Sequence, residues 1–412
     1  MGPPTVDGHR LIDSLALMAQ VGATEKGGVR RLTATDEDRE GRDLLVTWAK
    51  QEGCKVAVDQ IGNLFCRLAG QSEELAPILI GSHLDSQPTG GKYDGAYGVL
   101  AALETIRALN QSKVRTLRPI EVVSWTNEEG SRFAPAMMGS GVFAGALTLS
   151  AALESEDTKG LTLGNSLTRI GYNGKAPCGG RPIHAYFEAH IEQGPILEAE
   201  HKTIGVVEGI QGIRWFNCTL TGTEAHAGPT PMSVRRDALI GAADLIGRIN
   251  AIAVKYAPDG RATVGELQLH PNSRNVIPGR VRFTVDMRHP TSEILSEMAV
   301  WMDAAFEAVC KDSGLEGNLE EIWYSPPTAF DSLCVDTVER AAHSRGYTSL
   351  RITSGAGHDA KYMADICPTA MIFIPCKDGL SHNELEDAAE DHLIAGSQVL
   401  LDVAYEKAME PE

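Results

Sequence analysis

Histidines 83, 190 and 382 and the carboxylates Asp94, Glu128 and Glu129 are residues whose types suit one chemistry together. Each stands just past a short apolar or alternating run. His83 follows residues 77–80, the Glu128-Glu129 pair follows 120–125, His190 ends the alternating segment 184–190, and His382 comes after 370–375. Asp94 opens the stretch that begins at Gly95. Singly, each has an ordinary explanation: Asp94 as a helix cap, His83 as a satisfied polar residue, the glutamates as a solvated loop. Together they make a mixed nitrogen and oxygen donor set that suits zinc, manganese, cobalt or nickel better than calcium or copper. One cation would not need so many ligands, whereas two cations about 3.5–4 Å apart, sharing a carboxylate and a water, would use them all. Adjacent side chains of an extended segment point to opposite sides, so one of Glu128 and Glu129 is expected to bind metal and the other to carry protons. That is amide-bond hydrolysis in outline.

These residues need a scaffold that ends several strands along one edge. Residues 77–80 and 120–125 are continuous apolar runs of the kind buried on both faces of a parallel sheet, and 95–109 between them reads as a helix. Strand, helix, strand is a βαβ unit, which predicts an α/β catalytic domain with a helix-covered, mostly parallel sheet whose ligands lie beyond the strands' carboxyl ends. From 205 to 323 the pattern becomes strand 215–220, helix 236–252, strands 263–269 and 281–287, helix 292–309 and strand 319–323. This split βαβ, ferredoxin-like α+β arrangement reads as an insertion. The expected boundaries are 1–204 and 325–412 for the catalytic domain and 205–324 for the inserted one.

The chain has 412 residues, enough for two domains. Its 55 acidic against 37 basic residues give a formal charge of -18, which disfavours nucleic acid and anionic membrane as partners. The 8 cysteines form no Cys-x-x-Cys pair, no apolar run has the length of a membrane span, and the first residues carry no export or lipidation signal. A cytoplasmic enzyme with reduced thiols is the expectation.

The stretches GSHLDSQPTGGKYDG, WTNEEGSRFAPAMMGS, HIEQGPILE, GTEAHAGPTPM, RNVIPG, GAGHDA and SHNE, in this order, resemble the binuclear metal amidohydrolases of the M20 peptidase clan. Within that clan they are similar to the N-carbamoyl-L-amino acid hydrolase, β-ureidopropionase and allantoate amidohydrolase branch. The resemblance implies two divalent cations per subunit, with Asp94 bridging, His83 and His190 on one ion, Glu129 and His382 on the other, and Glu128 as general base. It also implies that the inserted domain is a lid and a homodimerisation surface, and that His226 reaches the neighbouring subunit's site as a catalytic and substrate-binding group. Asn275, Arg288, Gln193 and His358 are the further substrate contacts it implies. An arginine at 288 suits two-point recognition of a carboxylate.

The activity implied is hydrolysis of a small N-carbamoyl or ureido substrate, releasing L-amino acid, carbon dioxide and ammonia, with allantoate and 3-ureidopropionate as alternatives. An aminoacylase or dipeptidase of the same clan is a rival. So is a metal-binding scaffold without activity, although such a protein has no use for an unligated base. Neither Ser140 nor Ser354 fits a Gly-x-Ser-x-Gly elbow, which disfavours a serine hydrolase.

Overall fold

The computed structural model of the protein describes residues 4–411, so the start of the N-terminal segment read for export signals lies outside it. In chain order the strands are β1 (Lys55–Val58), β2 (Leu64–Leu68), β3 (Ile78–His83), β4 (Ile120–Trp125), β5 (Ala185–Ile191), β6 (Ile204–Ile210), β7 (Gly212–Thr221), β8 (Ala225–His226), β9 (Arg261–Thr263), β10 (Leu267–His270), β11 (Val276–Ile277), β12 (Arg280–His289), β13 (Glu316–Ser325), β14 (Thr328–Ala329), β15 (Ser349–Ser354) and β16 (Thr369–Ile374). They fall into two compact units. The larger runs up to Gly209 and resumes at Ala329, and the smaller is Ile210–Thr328.

In the larger unit, nine strands among the described residues form one mixed sheet ordered β1-β2-β4-β3-β5-β16-β6-β14, with β15 also paired to β6. Its centre is parallel: β4 with β3, β3 with β5, and β5 with β16. Every residue of β3, β4, β5 and β16 is buried, which is why the segments of β3, β4 and β16 read as apolar runs, whereas that of β5 carries Glu188 and His190 and reads as alternating. The flanks are antiparallel, β1–β2–β4 on one side and β16–β6 on the other. Here the expected limit at 204 moves outward, because β6 pairs with β16 and stays with the large sheet.

Local chemistry sets the helix starts. Thr35 accepts the Asp38 N–H, and Asp36, Glu37 and Asp38 place negative charge at the positive end of the helix Asp36–Gln51. The helix Ala96–Gln111 joins β3 to β4 and begins after Gly95, whose backbone sits at φ 63°, ψ −49°. A Cβ there would lie 2.3–2.4 Å from three atoms of the His83 ring. Only glycine allows both this turn and the approach of His83 to Asp94.

In the smaller unit, β10-β12-β7-β13 form an antiparallel sheet with β9 also on β12. The helices Ala238–Lys255 and Ser292–Ser313 bury one face of it, closing on Phe216, Leu220, Phe283, Leu245, Met298 and Met302. This is the βαββαβ order expected of a split βαβ unit. The single strand expected at 263–269 is two strands instead. Gly265 interrupts the ladder there, and Glu266 returns to it by accepting the Thr284 N–H at 3.1 Å.

Candidate metal centre

The parallel register brings the strand ends level: His83 of β3 lies beside Trp125 of β4, and His190 of β5 beside Phe373 of β16. The residues just beyond therefore collect at one rim of the large sheet. Asp94 is the hub. Its Oδ1 lies 3.5 Å from His83 Nε2 and 3.2 Å from His190 Nε2, while its Oδ2 lies 3.5 Å from His382 Nε2. His382 Nε2 is in turn 3.3 Å from Glu129 Oε2. Two donor triples result, His83/Asp94/His190 and Asp94/Glu129/His382, each with ligand atoms within 4.8 Å of one another.

The donor set fits divalent cations on three counts. Bonds near 2.0 Å at tetrahedral angles put ligand atoms about 3.3 Å apart, which matches these spacings. Both buried imidazoles face Nδ1 toward a backbone carbonyl, Asp85 O for His83 and Ile191 O for His190, each at 2.9 Å. That holds each ring with Nε2 turned toward Asp94, where a bound cation would take its lone pair. Finally, Asp94 meets only imidazoles within ion-pair distance among the described residues, although its side chain is 3% exposed. Burying a carboxylate costs several kcal/mol, roughly, and a bound cation offsets that cost. Burial would raise the Asp94 carboxyl, but His190 and His83 outweigh it and hold it well below the usual range.

The two glutamates take different places. Glu129 accepts the Gln87 backbone N–H at 3.1 Å and the Gln87 side-chain amide at 2.7 Å, which aims its carboxylate at His382. Glu128 lies 3.5 Å from His83 Nε2, and burial pushes its carboxyl well above the usual range, with His83 opposing. Asp85 sets both: its carboxylate accepts the Glu128 and Glu129 N–H groups at 3.2 and 3.3 Å and the Thr33 hydroxyl at 2.9 Å.

Of the expected substrate contacts, Gln193 donates its amide to Asp94 Oδ2 at 2.8 Å and to Ser381 at 3.1 Å. His358 is buried, its ring centroid 4.6 Å from that of His190 and its Nε2 3.1 Å from the Ser354 hydroxyl; burial, then His190, hold it well below its ordinary pKa. The other three lie in the smaller unit. His226 and Asn275 are exposed neighbours, with His226 paired to Val276 and the Ala227 N–H bonded to Asn275 O. Arg288 makes a two-point bond to Asp286, at 2.9 and 2.8 Å, so its fork already holds a carboxylate of its own strand.

Sequence reasoning missed several supporting groups. Asp85 had a signal, two residues after His83 and on the same strand end. Glu188 had none: it accepts the Ser82 and Tyr186 hydroxyls at 2.6 and 3.0 Å and the Ala360 N–H at 3.1 Å. Glu386 had none either; burial, then Asp94, push its carboxyl up to about 7.

The model of "Peptidase family M20/M25/M40" matches residues 79–406. A protein named N-carbamoyl-L-amino-acid amidohydrolase from Rhizobium meliloti is 46% identical over 98% of this chain and 97% of its own. One named allantoate amidohydrolase from Bacillus subtilis is 34% identical over 97% of this chain and 98% of its own. Among solved structures, an amidase of the hydantoinase/carbamoylase family from Burkholderia multivorans superposes with a TM-score of 0.97 at 57% identity, covering 99% of each chain. Because the matched segment takes in the strand ends that carry the metal-ligand candidates and continues through both units, this chain belongs to peptidase family M20/M25/M40.

Proposed function

We propose that this chain is a metal-dependent amidohydrolase that cleaves the carbamoyl C–N bond of N-carbamoyl-L-amino acids. Water and the ureido group give the free amino acid and carbamic acid, which breaks down to carbon dioxide and ammonia. The observation that carries the reaction class is the division of Asp94's two oxygens between two donor triples. The substrate class rests on the 46% identical relative. His83, Asp94, His190, Glu129 and His382 are the residues that would hold two divalent cations, zinc, manganese, cobalt or nickel. Bound in pairs, such cations polarise a carbonyl and make water acidic enough to lose a proton near neutral pH.

The chain's own residues do the rest. Glu128, unligated and held by Asp85, takes a proton from the attacking water and returns it to the leaving nitrogen. His226 donates to the carbonyl oxygen as charge develops on it, from the small unit of a partner subunit. Asn275 and Arg288 receive the substrate carboxylate, for which Arg288 must exchange its bond to Asp286. Gln193 and His358 line the ureido side. A homodimer through the small unit is in keeping with the apolar side chains its helices leave in water: Val254 at 65%, Val300 at 64% and Trp301 at 48% exposure. Eight free cysteines fit a reducing cytoplasm, and among the described residues no helix is long and apolar enough to cross a membrane.

The test is ammonia release by manganese- or zinc-loaded enzyme from N-carbamoyl-L-methionine, its D-enantiomer, 3-ureidopropionate and allantoate, beside hydrolysis of N-acetyl-L-methionine. The L-carbamoyl compound is expected to turn over fastest. Preference for allantoate or 3-ureidopropionate would move the substrate within the branch, hydrolysis of the acetyl compound alone would make this an aminoacylase, and no turnover at all would leave a metal-binding scaffold.

A further inference from the structure

His382 and Asp94 come from opposite ends of the large unit, and a second side chain of the His382 segment ties them together. Glu386 is buried, and its Oε1 accepts the N–H groups of Tyr93 at 2.9 Å and of Asp94 itself at 3.0 Å. Its Oε2 lies 3.3 Å from the Ser381 hydroxyl, which is 3.0 Å from Asp94 Oδ2, the oxygen that faces His382. Neighbouring contacts join the same two segments: Lys92 pairs with Asp387 at 3.0 Å, and a Cβ on Gly91 would fall 1.9 Å from the Glu386 carboxyl carbon. Gly91 thus leaves the space the carboxylate fills.

His382 needs such a hold. Its backbone is in the left-handed region, at φ 52°, where a residue with a side chain persists only if its surroundings enforce it. Its side chain is 52% exposed, against 1% for His83 and His190, so packing restrains it least of the three imidazoles.

We propose that Glu386 is a positioning residue that locks the His382 segment onto the Asp94 segment and so sets cation affinity in the Asp94/Glu129/His382 half of the site. The inference rests on the binuclear reading above. Glu386 touches no reacting atom; it acts through the placement of Asp94 and His382, as groups bonded behind metal ligands do.

The test counts manganese bound to the full chain after equilibration at graded Mn²⁺ concentrations, by atomic emission. Wild type is expected to hold two equivalents, and Glu386→Ala to keep the first with unchanged affinity while the second weakens by roughly 10- to 100-fold. Glu386→Gln retains an oxygen for both backbone N–H groups and is expected to recover part of that loss. Gly91→Ala displaces the carboxylate without altering it and is expected to weaken the second equivalent as Glu386→Ala does, which keeps the test open if Glu386→Ala fails to fold. Two equivalents of wild-type affinity in Glu386→Ala or Gly91→Ala, or equal weakening of both equivalents, would overturn the inference. Wild type binding no more than one equivalent would instead overturn the binuclear reading.

Discussion

Asp94 turns one oxygen to His83 and His190 and the other to His382, and this division makes the difference between Glu128 and Glu129 testable. Glu129 completes a donor triple with Asp94 and His382; Glu128 belongs to neither triple that contains Asp94. Glu128→Gln preserves the shape of the side chain but cannot take a proton. Turnover is expected to fall by roughly 10²- to 10⁴-fold while metal content stays at the wild-type count. Loss of a cation in that variant would make Glu128 a ligand and exchange its role with that of Glu129. At this scale the sequence was readable where the candidate site rests on side-chain type at a strand end, as with His83, His190 and the glutamate pair. It was silent on Glu386 and Glu188, whose partners include backbone N–H groups from distant segments, because no residue type encodes where such a group will be.

Between residue and domain, the turn from β3 into the helix Ala96–Gln111 decides whether His83 and Asp94 meet. Gly95 holds φ 63° in that turn, and the His83 ring fills the place of the missing side chain. Gly95→Ala therefore adds a methyl against the imidazole and a backbone penalty of about 1–3 kcal/mol. The expected outcome is a lower melting temperature together with loss of both cations, read by thermal denaturation and atomic emission; a stable variant with two cations would show that the turn tolerates a side chain. Continuous apolar runs made β3, β4 and β16 legible, since burial on both faces removes the alternation and the runs are too short for a helix. The break between β9 and β10 and the allegiance of β6 were not legible. Both depend on pairing with β12 or β16, strands remote in sequence, and a one-dimensional pattern carries no record of the partner.

For the whole molecule, the proposed division of labour assigns the cations and Glu128 to the large unit and His226 to the small unit of a second subunit, and these halves can be separated genetically. His226→Ala and Glu128→Gln are each expected to be inactive alone. If His226 works across subunits, a mixed dimer contains one site that has both its own Glu128 and the partner's His226, and a second site that lacks both. Random reassociation makes half the dimers mixed, each with one competent site of two, so about a quarter of wild-type activity should return. If His226 served its own subunit, every site in the mixed dimer would lack one group and nothing would return. Co-purification of differently tagged subunits separates this outcome from failure to exchange, and sedimentation reports the assembly: a monomer at working concentration would remove the exposed Val254, Val300 and Trp301 face as an interface. The acidic charge of -18 adds a condition, because like-charged subunits repel and salt near 0.15 M, with a screening length of about 8 Å, should favour reassociation into dimers over low-salt buffer.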